Sequence, residues 1–226
     1  MLKKKILIIA PHADDEILGC GGTISKYCKM GIQVYISILT NAYLGAPEFF
    51  SKQQIKNIRQ ESISANKILK VKNLTFNELP APALDQYPIY KIANLILGTI
   101  NKIKPDTIFI PSEKDIHIDH KIINHAAMVA LRPINKHIVN RILAYETLSE
   151  THWSDNTNNS FAPNYFEKLS IQNIESKKKS FLKYKSQVKN FPHPRSLKGI
   201  EVLANFRGMN IGTKYAESFE IKRDLN

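Results

Sequence analysis

The sequence predicts a single α/β domain over residues 1–226, and three observations predict it. Short apolar runs of strand length alternate with longer stretches whose apolar residues recur at helical spacing, the pattern of a mainly parallel sheet with crossover helices. The 226 residues suit one domain better than two, and a chain this long buries roughly 70% of its extended-chain surface without staples. The 43% hydrophobic and 23% charged fractions are those of a folded globule, which excludes a disordered or fibrous chain.

The first run, Lys5 to Pro11, holds Ile-Leu-Ile-Ile-Ala and is short enough to be a strand buried on both faces. Leu18 to Met30 reads as a helix stopped by Gly31, and Ile32 to Thr40 as a second strand. A loop over Asn41 to Pro47 leads into a long helix from about Glu48 to Lys70, with Ile55, Ile58, Ile63 and Leu69 at helical spacing. Leu74 to Glu78 is a short strand. Pro88 suits the first position of a helix reaching Lys104, and Thr107 to Pro111 is another buried strand. A helix near His120 to Leu131 precedes a strand at Arg141 to Glu146. Residues 147–163 are polar and without period, a surface loop long enough to serve function. A strand at Tyr165 to Ile171, helices near Asn173 to Val188 and Ser196 to Met209, and a strand at Ser218 to Lys222 complete the chain. The expected architecture is a Rossmann-like, mainly parallel sheet flanked by helices.

Composition narrows the function. Cys20 and Cys28, the only two cysteines, exclude a disulfide framework and fit a reducing, cytoplasmic setting. No stretch approaches about 18 consecutive apolar residues, so no membrane span is expected. The formal charge of +12 admits a nucleic-acid surface, but the short clusters Lys3 to Lys5 and Lys177 to Lys179 lie far apart without aromatic residues between them. Lys177 to Lys179 are expected on a solvated helix face, and no nucleic-acid partner is expected. Gly19, Gly21 and Gly22 match no phosphate-binding motif and suit close packing of a helix on the sheet.

Two stretches carry chemistry. Pro11-His12-Ala13-Asp14-Asp15-Glu16 follows the first strand, where an open parallel sheet presents its carboxyl ends to ligands. Three residues apart, His12 and Asp15 could converge on one metal ion and leave Asp14 beside it; equally, Asp14 and Asp15 could be a helix cap and a first-turn acid. His117-Ile-Asp119-His120 stands just beyond the strand Thr107 to Pro111, and alone it could be a solvated helix start. Two such clusters at two strand ends favour a common crevice. His12, Asp15 and His120 would give two nitrogens and one oxygen, with an open position for water, as in catalytic zinc sites.

These motifs resemble those of the PIG-L/LmbE-type deacetylases, metal-dependent enzymes that remove N-acetyl groups from N-acetylglucosamine conjugates. The likeness continues through Arg59-Gln-Glu61 and Ala65, Tyr145-Glu146, Tyr184-Lys-Ser-Gln187, His193-Pro-Arg-Ser196, Arg207-Gly208, Tyr215-Ala-Glu217 and Phe219, and so spans essentially the whole chain. The resemblance implies that His12, Asp15 and His120 hold zinc, with other divalent ions able to substitute, and that Asp14 is the general base. It implies that His117 stabilises or protonates the reacting centre, with Asp119 orienting it, and that Arg59 binds the sugar; on physical grounds a protonated His117, its pKa raised by the nearby Asp119, suits the charge that builds on the carbonyl oxygen. Ala13 and Ile118 depart from the prolines often found at those positions, and no tyrosine precedes the second motif.

Amide hydrolysis fits these residue types on physical grounds. A metal-activated water needs a carboxylate to take its proton, and the carbonyl oxygen needs a partner as charge develops. The expected partner is a small N-acetylated sugar, either neutral or anionic, and a homo-oligomer is left open. A non-catalytic sugar- or nucleotide-binding module is the alternative, but it would be expected to lose Asp14 or a ligand. His152 and Trp153 could form a lid or a plain surface loop, and His193 and Arg195 could reach the site mouth or form a capping turn.

Overall fold

The computed structural model describes residues 4–154 and 160–225. Met1 to Lys3, which include part of the first basic cluster, and residues 155–159 of the long polar loop lie outside the described residues.

Strand β1 (Lys5–Ala10) alternates its side chains between two layers, and that alternation sets the architecture. Ile6, Ile8 and Ala10 join one buried cluster, Leu7 and Ile9 another. Helix α1 (Asp15–Lys29) leads to β2 (Gln33–Asn41), a single turn α2 (Ala42–Gly45), α3 (Lys52–Leu69) and β3 (Asn73–Pro80). Then come α4 (Ile89–Ile103), β4 (Thr107–Pro111), α5 (Ile118–Ala130) and β5 (Arg141–Tyr145), followed by β6 (Tyr165–Leu169), α6 (Ile171–Phe181), α7 (Leu197–Met209) and β7 (Tyr215–Asp224). Helices α1 and α3 pack on the first face with Phe181 and Ile200 from α6 and α7; α4 and α5 cover the second.

The seven strands lie in the order β3-β2-β1-β4-β5-β7-β6. β3, β2, β1, β4 and β5 are parallel, and β7 runs antiparallel between β5 and β6. From β1 the chain winds outward through β2 and β3, and the return through β4 winds the other way. The reversal leaves a crevice at the carboxyl ends of β1 and β4, where open sheets bind ligands.

Local chemistry explains where element ends depart from expectation. Helix α3 begins at Lys52, not near Glu48, because Ser51 and Gln54 form a reciprocal capping box at 3.2 and 2.7 Å. Ser170 and Asn173 do the same for α6, ending the preceding strand at Leu169 and starting the helix two residues early. That helix stops at Phe181 rather than Val188. Strand β7 is twice the expected length because it is an interior strand, buried from Tyr215 to Glu220. Gly19 and Gly22 serve close packing, as expected: a Cβ would strike the Tyr145 ring at Gly19 and Leu169 at Gly22.

The lysine run is the clearest correction. Lys179 is exposed, but Lys177 is 4% exposed, and its Nζ donates to Leu18 O at 2.7 Å and Glu217 Oε1 at 2.6 Å. The same Glu217 carboxylate accepts the Gly22 and Thr23 N–H groups at 2.8 and 2.7 Å, so one ion pair ties α1, α6 and β7 together. Removing one member of a buried pair leaves the other charge uncompensated. Lys177→Met should therefore lower unfolding free energy by about 3–5 kcal/mol in urea titration, whereas Lys179→Ala should change it by no more than about 0.5 kcal/mol. Equal effects would contradict the buried-pair account.

Candidate metal and active site

The end of β1 and the start of α1 make a strained turn. Asp14 caps α1 from φ 115°, a left-handed backbone rarely taken by residues other than glycine, aspartate and asparagine. What holds it there is Glu16. One Glu16 oxygen accepts the Asp14 N–H at 3.0 Å, and the other accepts from Asn66 at 2.8 Å and from the Tyr184 hydroxyl. The carboxyl is fully buried, and burial raises its pKa. α3 and the segment after α6 thus brace the turn that aims Asp14.

His12, Asp15 and His120 converge as expected. Asp15 Oδ2 lies 3.3 Å from His12 Nδ1 and 3.2 Å from His120 Nε2, and the two ring nitrogens are 3.3 Å apart. A triangle with those edges is one face of a tetrahedron whose corners stand about 2.0–2.1 Å from the centre, the span of Zn–N and Zn–O bonds. Asp15 Oδ1 is buried with no hydrogen-bond partner, although Oδ2 also accepts the His12 N–H at 2.8 Å. This donor set fits a divalent cation.

Electrostatics point the same way. Burial alone would lower the His12 pKa, but Asp119 and Asp15 outweigh it and raise the imidazole to about 9. The His120 pKa is raised in the same sense by Asp15 and Asp115 against burial. The pocket's field favours positive charge.

Each histidine is anchored from behind by a carboxylate, the arrangement that fixes tautomer and ring orientation in metal sites. His12 Nε2 meets Asp119 Oδ2 at 3.2 Å, and Asp119 Oδ1 accepts the Leu84 N–H at 3.3 Å. His120 Nδ1 meets Asp115 Oδ2 at 2.6 Å, while Asp115 Oδ1 accepts the Thr151 hydroxyl. The Asp119 carboxylate thus bonds His12, where orientation of His117 was expected; the Asp119 backbone N–H, at 3.2 Å from Nδ1, is what His117 receives. With Nδ1 accepting, the proton of a neutral His117 sits on Nε2. Burial, with the nearby His12 and His120, pushes its pKa down to about 4, where a rise driven by Asp119 was expected. Asp119 acts to raise it but is outweighed.

Arg195 is the residue that sequence left undecided and the fold brings in. From the turn before α7, its Nη1 donates to Asp14 Oδ2 at 3.2 Å and to Gln187 at 2.9 Å, Nη2 to Glu150 at 3.1 Å, and Nε to Ser149 at 2.8 Å. Burial lifts the Asp14 pKa against the pull of Arg195, leaving it at about 7. A carboxyl near neutrality beside a triangle of candidate metal ligands is suited to proton transfer at ordinary pH. Within the long loop, His152 Nε2 pairs with Glu146 at 3.1 Å and the Trp153 ring lies 5.6 Å from that of His193.

Asp14, His12, His117 and Arg195 border a cleft of about 550 Å³ that extends along α3 and past Phe76 and Pro82. Arg59 also lines it, with its guanidinium 2.8 Å from Glu78, donating to Asn77 O at 3.2 Å and lying over the Phe76 ring. No described helix is long and apolar enough to cross a membrane.

Comparison with known proteins follows the same residues. The chain is 28% identical over 188 residues to "Uncharacterized deacetylase YaiS" of Escherichia coli, covering 81% of this chain and 92% of that protein. It is 26% identical over 140 residues to diacetylchitobiose deacetylase of Thermococcus kodakarensis, covering 58% of this chain and about half (49%) of the relative. Among solved structures, the conserved protein TT1542 of Thermus thermophilus superposes with a TM-score of 0.75 at 25% identity, covering 95% of this chain and 93% of that one. The PIG-L family, described as GlcNAc-PI de-N-acetylase, matches residues 7–131, from the first strand through both His/Asp motifs. That match takes in more than half of the chain, and the chain belongs to this family.

Proposed function

We propose that the protein is a zinc-dependent hydrolase that removes the N-acetyl group from an N-acetylglucosamine-type conjugate, with His12, Asp15 and His120 as metal ligands and Asp14 as general base. The observation that carries this is the triangle of ligand atoms 3.2–3.3 Å apart, with Asp14 next to Asp15 in the chain and both His12 and Asp14 lining the cleft. Zinc, or another divalent ion accepting the same donors, would supply a Lewis acid for the acetyl carbonyl and lower the pKa of a water toward about 7.

The chain's own groups do the rest. Asp14 takes a proton from the attacking water as its oxygen bonds the carbonyl carbon. The C–N bond then breaks, Asp14 returns that proton to the departing nitrogen, and the amine leaves with acetic acid, whose remaining proton is lost to solvent as it becomes acetate. His117 lines the cleft with a proton on Nε2 to donate to the carbonyl oxygen as negative charge builds. Asp119 and Asp115 keep His12 and His120 in the ligating tautomers, and Arg195 holds Asp14 in place as its charge changes. Arg59 is a sugar contact on the cleft wall, where its planar fork suits paired hydroxyls. A protein that only bound sugar would have no use for a carboxylate braced at positive φ beside a metal-binding triangle.

Purified protein should release acetate and free amine one-to-one from a methyl N-acetylglucosaminide, lose that activity on chelation and regain it with zinc. Turnover undiminished in chelator-treated, metal-free protein would contradict the proposal.

A further inference from the structure

The cleft has both polar and apolar side chains in its wall. The end at β1 and α5 is polar, with His12, Asp14, His117 and Arg195. Phe50, Ile55, Ile58, Phe76 and Pro82 line the same cavity, interleaved along α3 with Gln54, Asn57, Arg59 and Glu61. Phe50 is 38% exposed, and its neighbours on the same connection between β2 and α3, Phe49 and Leu44, are 75% and 48% exposed. Of these, Phe50 lines the cleft, and a large apolar side chain left in water beside other apolar side chains marks a binding surface.

Charge within the cleft is balanced. Arg59 is paired with Glu78, and Arg195 with Asp14 and Glu150. Glu61 adds a carboxylate to the wall, accepting from Ser186 at 2.8 Å. No lysine among the described residues lines the cleft; Lys52 and Lys56 line a separate depression of about 380 Å³ that shares only Ile55 and Arg59 with it. The chain's excess of positive charge is thus not focused where the substrate lies.

We propose that the substrate is a neutral N-acetylated glycoside whose aglycone is apolar and sits against Phe50, Ile55, Ile58 and Pro82, while the acetamide faces Asp14 and the metal-binding triangle. This rests on the deacetylase function proposed above and specifies its substrate class. Apolar surface taken out of water on this wall favours a longer hydrocarbon aglycone over a short one. An anionic aglycone gains no unpaired cation there and shares the cleft with the Glu61 carboxylate.

The experiment is a comparison of kcat/KM, read as acetate release by the zinc-loaded enzyme, on methyl, hexyl and 1-phosphate derivatives of N-acetylglucosamine. The hexyl glycoside should exceed the methyl glycoside at least tenfold, with the 1-phosphate below both. In the Phe50→Ser, Ile55→Ser double variant, whose two changes fall on partly exposed side chains, the hexyl-to-methyl ratio should fall below threefold. A hexyl-to-methyl ratio of one or less, or a 1-phosphate that is the best substrate, would overturn the aglycone assignment while leaving the deacetylase in place. A ratio unchanged by the double variant would overturn it too. Absence of turnover on every glycoside would overturn the deacetylase function, and this assignment with it.

Discussion

Asp14→Asn should retain fold and metal yet lose about 10²–10⁴ in kcat on an N-acetylglucosaminide, with little change in KM. Asparagine tolerates the positive φ that residue 14 adopts, so the braced turn survives the change. It keeps the shape and an acceptor for Arg195, and it removes only the capacity to take a proton. The check is steady-state kinetics together with metal content on the same preparation. If Asp14→Asn loses the metal while Asp15→Asn keeps it, the roles of the two carboxylates are exchanged.

Changes at the ligands should act on the metal first. His120→Ala should strip most of the zinc and abolish activity, because two remaining donors do not make a catalytic site. Asp115→Asn should be milder. It leaves both nitrogens and Asp15 in place but weakens the acceptor that fixes the His120 ring from 2.6 Å behind it, a change worth about 10–100-fold in metal affinity. Competition with a calibrated chelator separates the two cases. An Asp115→Asn protein as empty as His120→Ala would make Asp115 a ligand rather than the anchor of one.

How far the sequence could be read depended on how local each cause was. The two His/Asp motifs each follow a strand within a few residues, so their convergence followed from topology once β1 and β4 were recognised as neighbours. The family's Arg207-Gly208 and Tyr145-Glu146 motifs were visible as words. What they do was not: Arg207 clamps the Glu146 carboxylate at 2.8 and 2.6 Å across 61 residues of chain. Lys177 looked like part of a solvated run because its charged neighbours are solvated. Its burial is decided by Glu217, 40 residues on, and by Gly21 in α1, which lets the stem approach. Arg195 was equally out of reach, since a turn before α7 reveals nothing about the distance to Asp14. The Asp115 anchor did carry a signal: an acid five residues before His120, in the loop that leads into it, is placed to accept from the ring nitrogen facing away from a metal. Capping boxes at Ser51 and Ser170 were also legible, and they moved two helix starts that hydropathy alone misplaced.

Zinc content measured by elemental analysis on the wild type and on a His12→Ala, His120→Ala double variant tests the central claim most directly. The account predicts about one zinc per wild-type chain, lost in the double variant together with acetate release. A double variant that still carries one zinc per chain would contradict it.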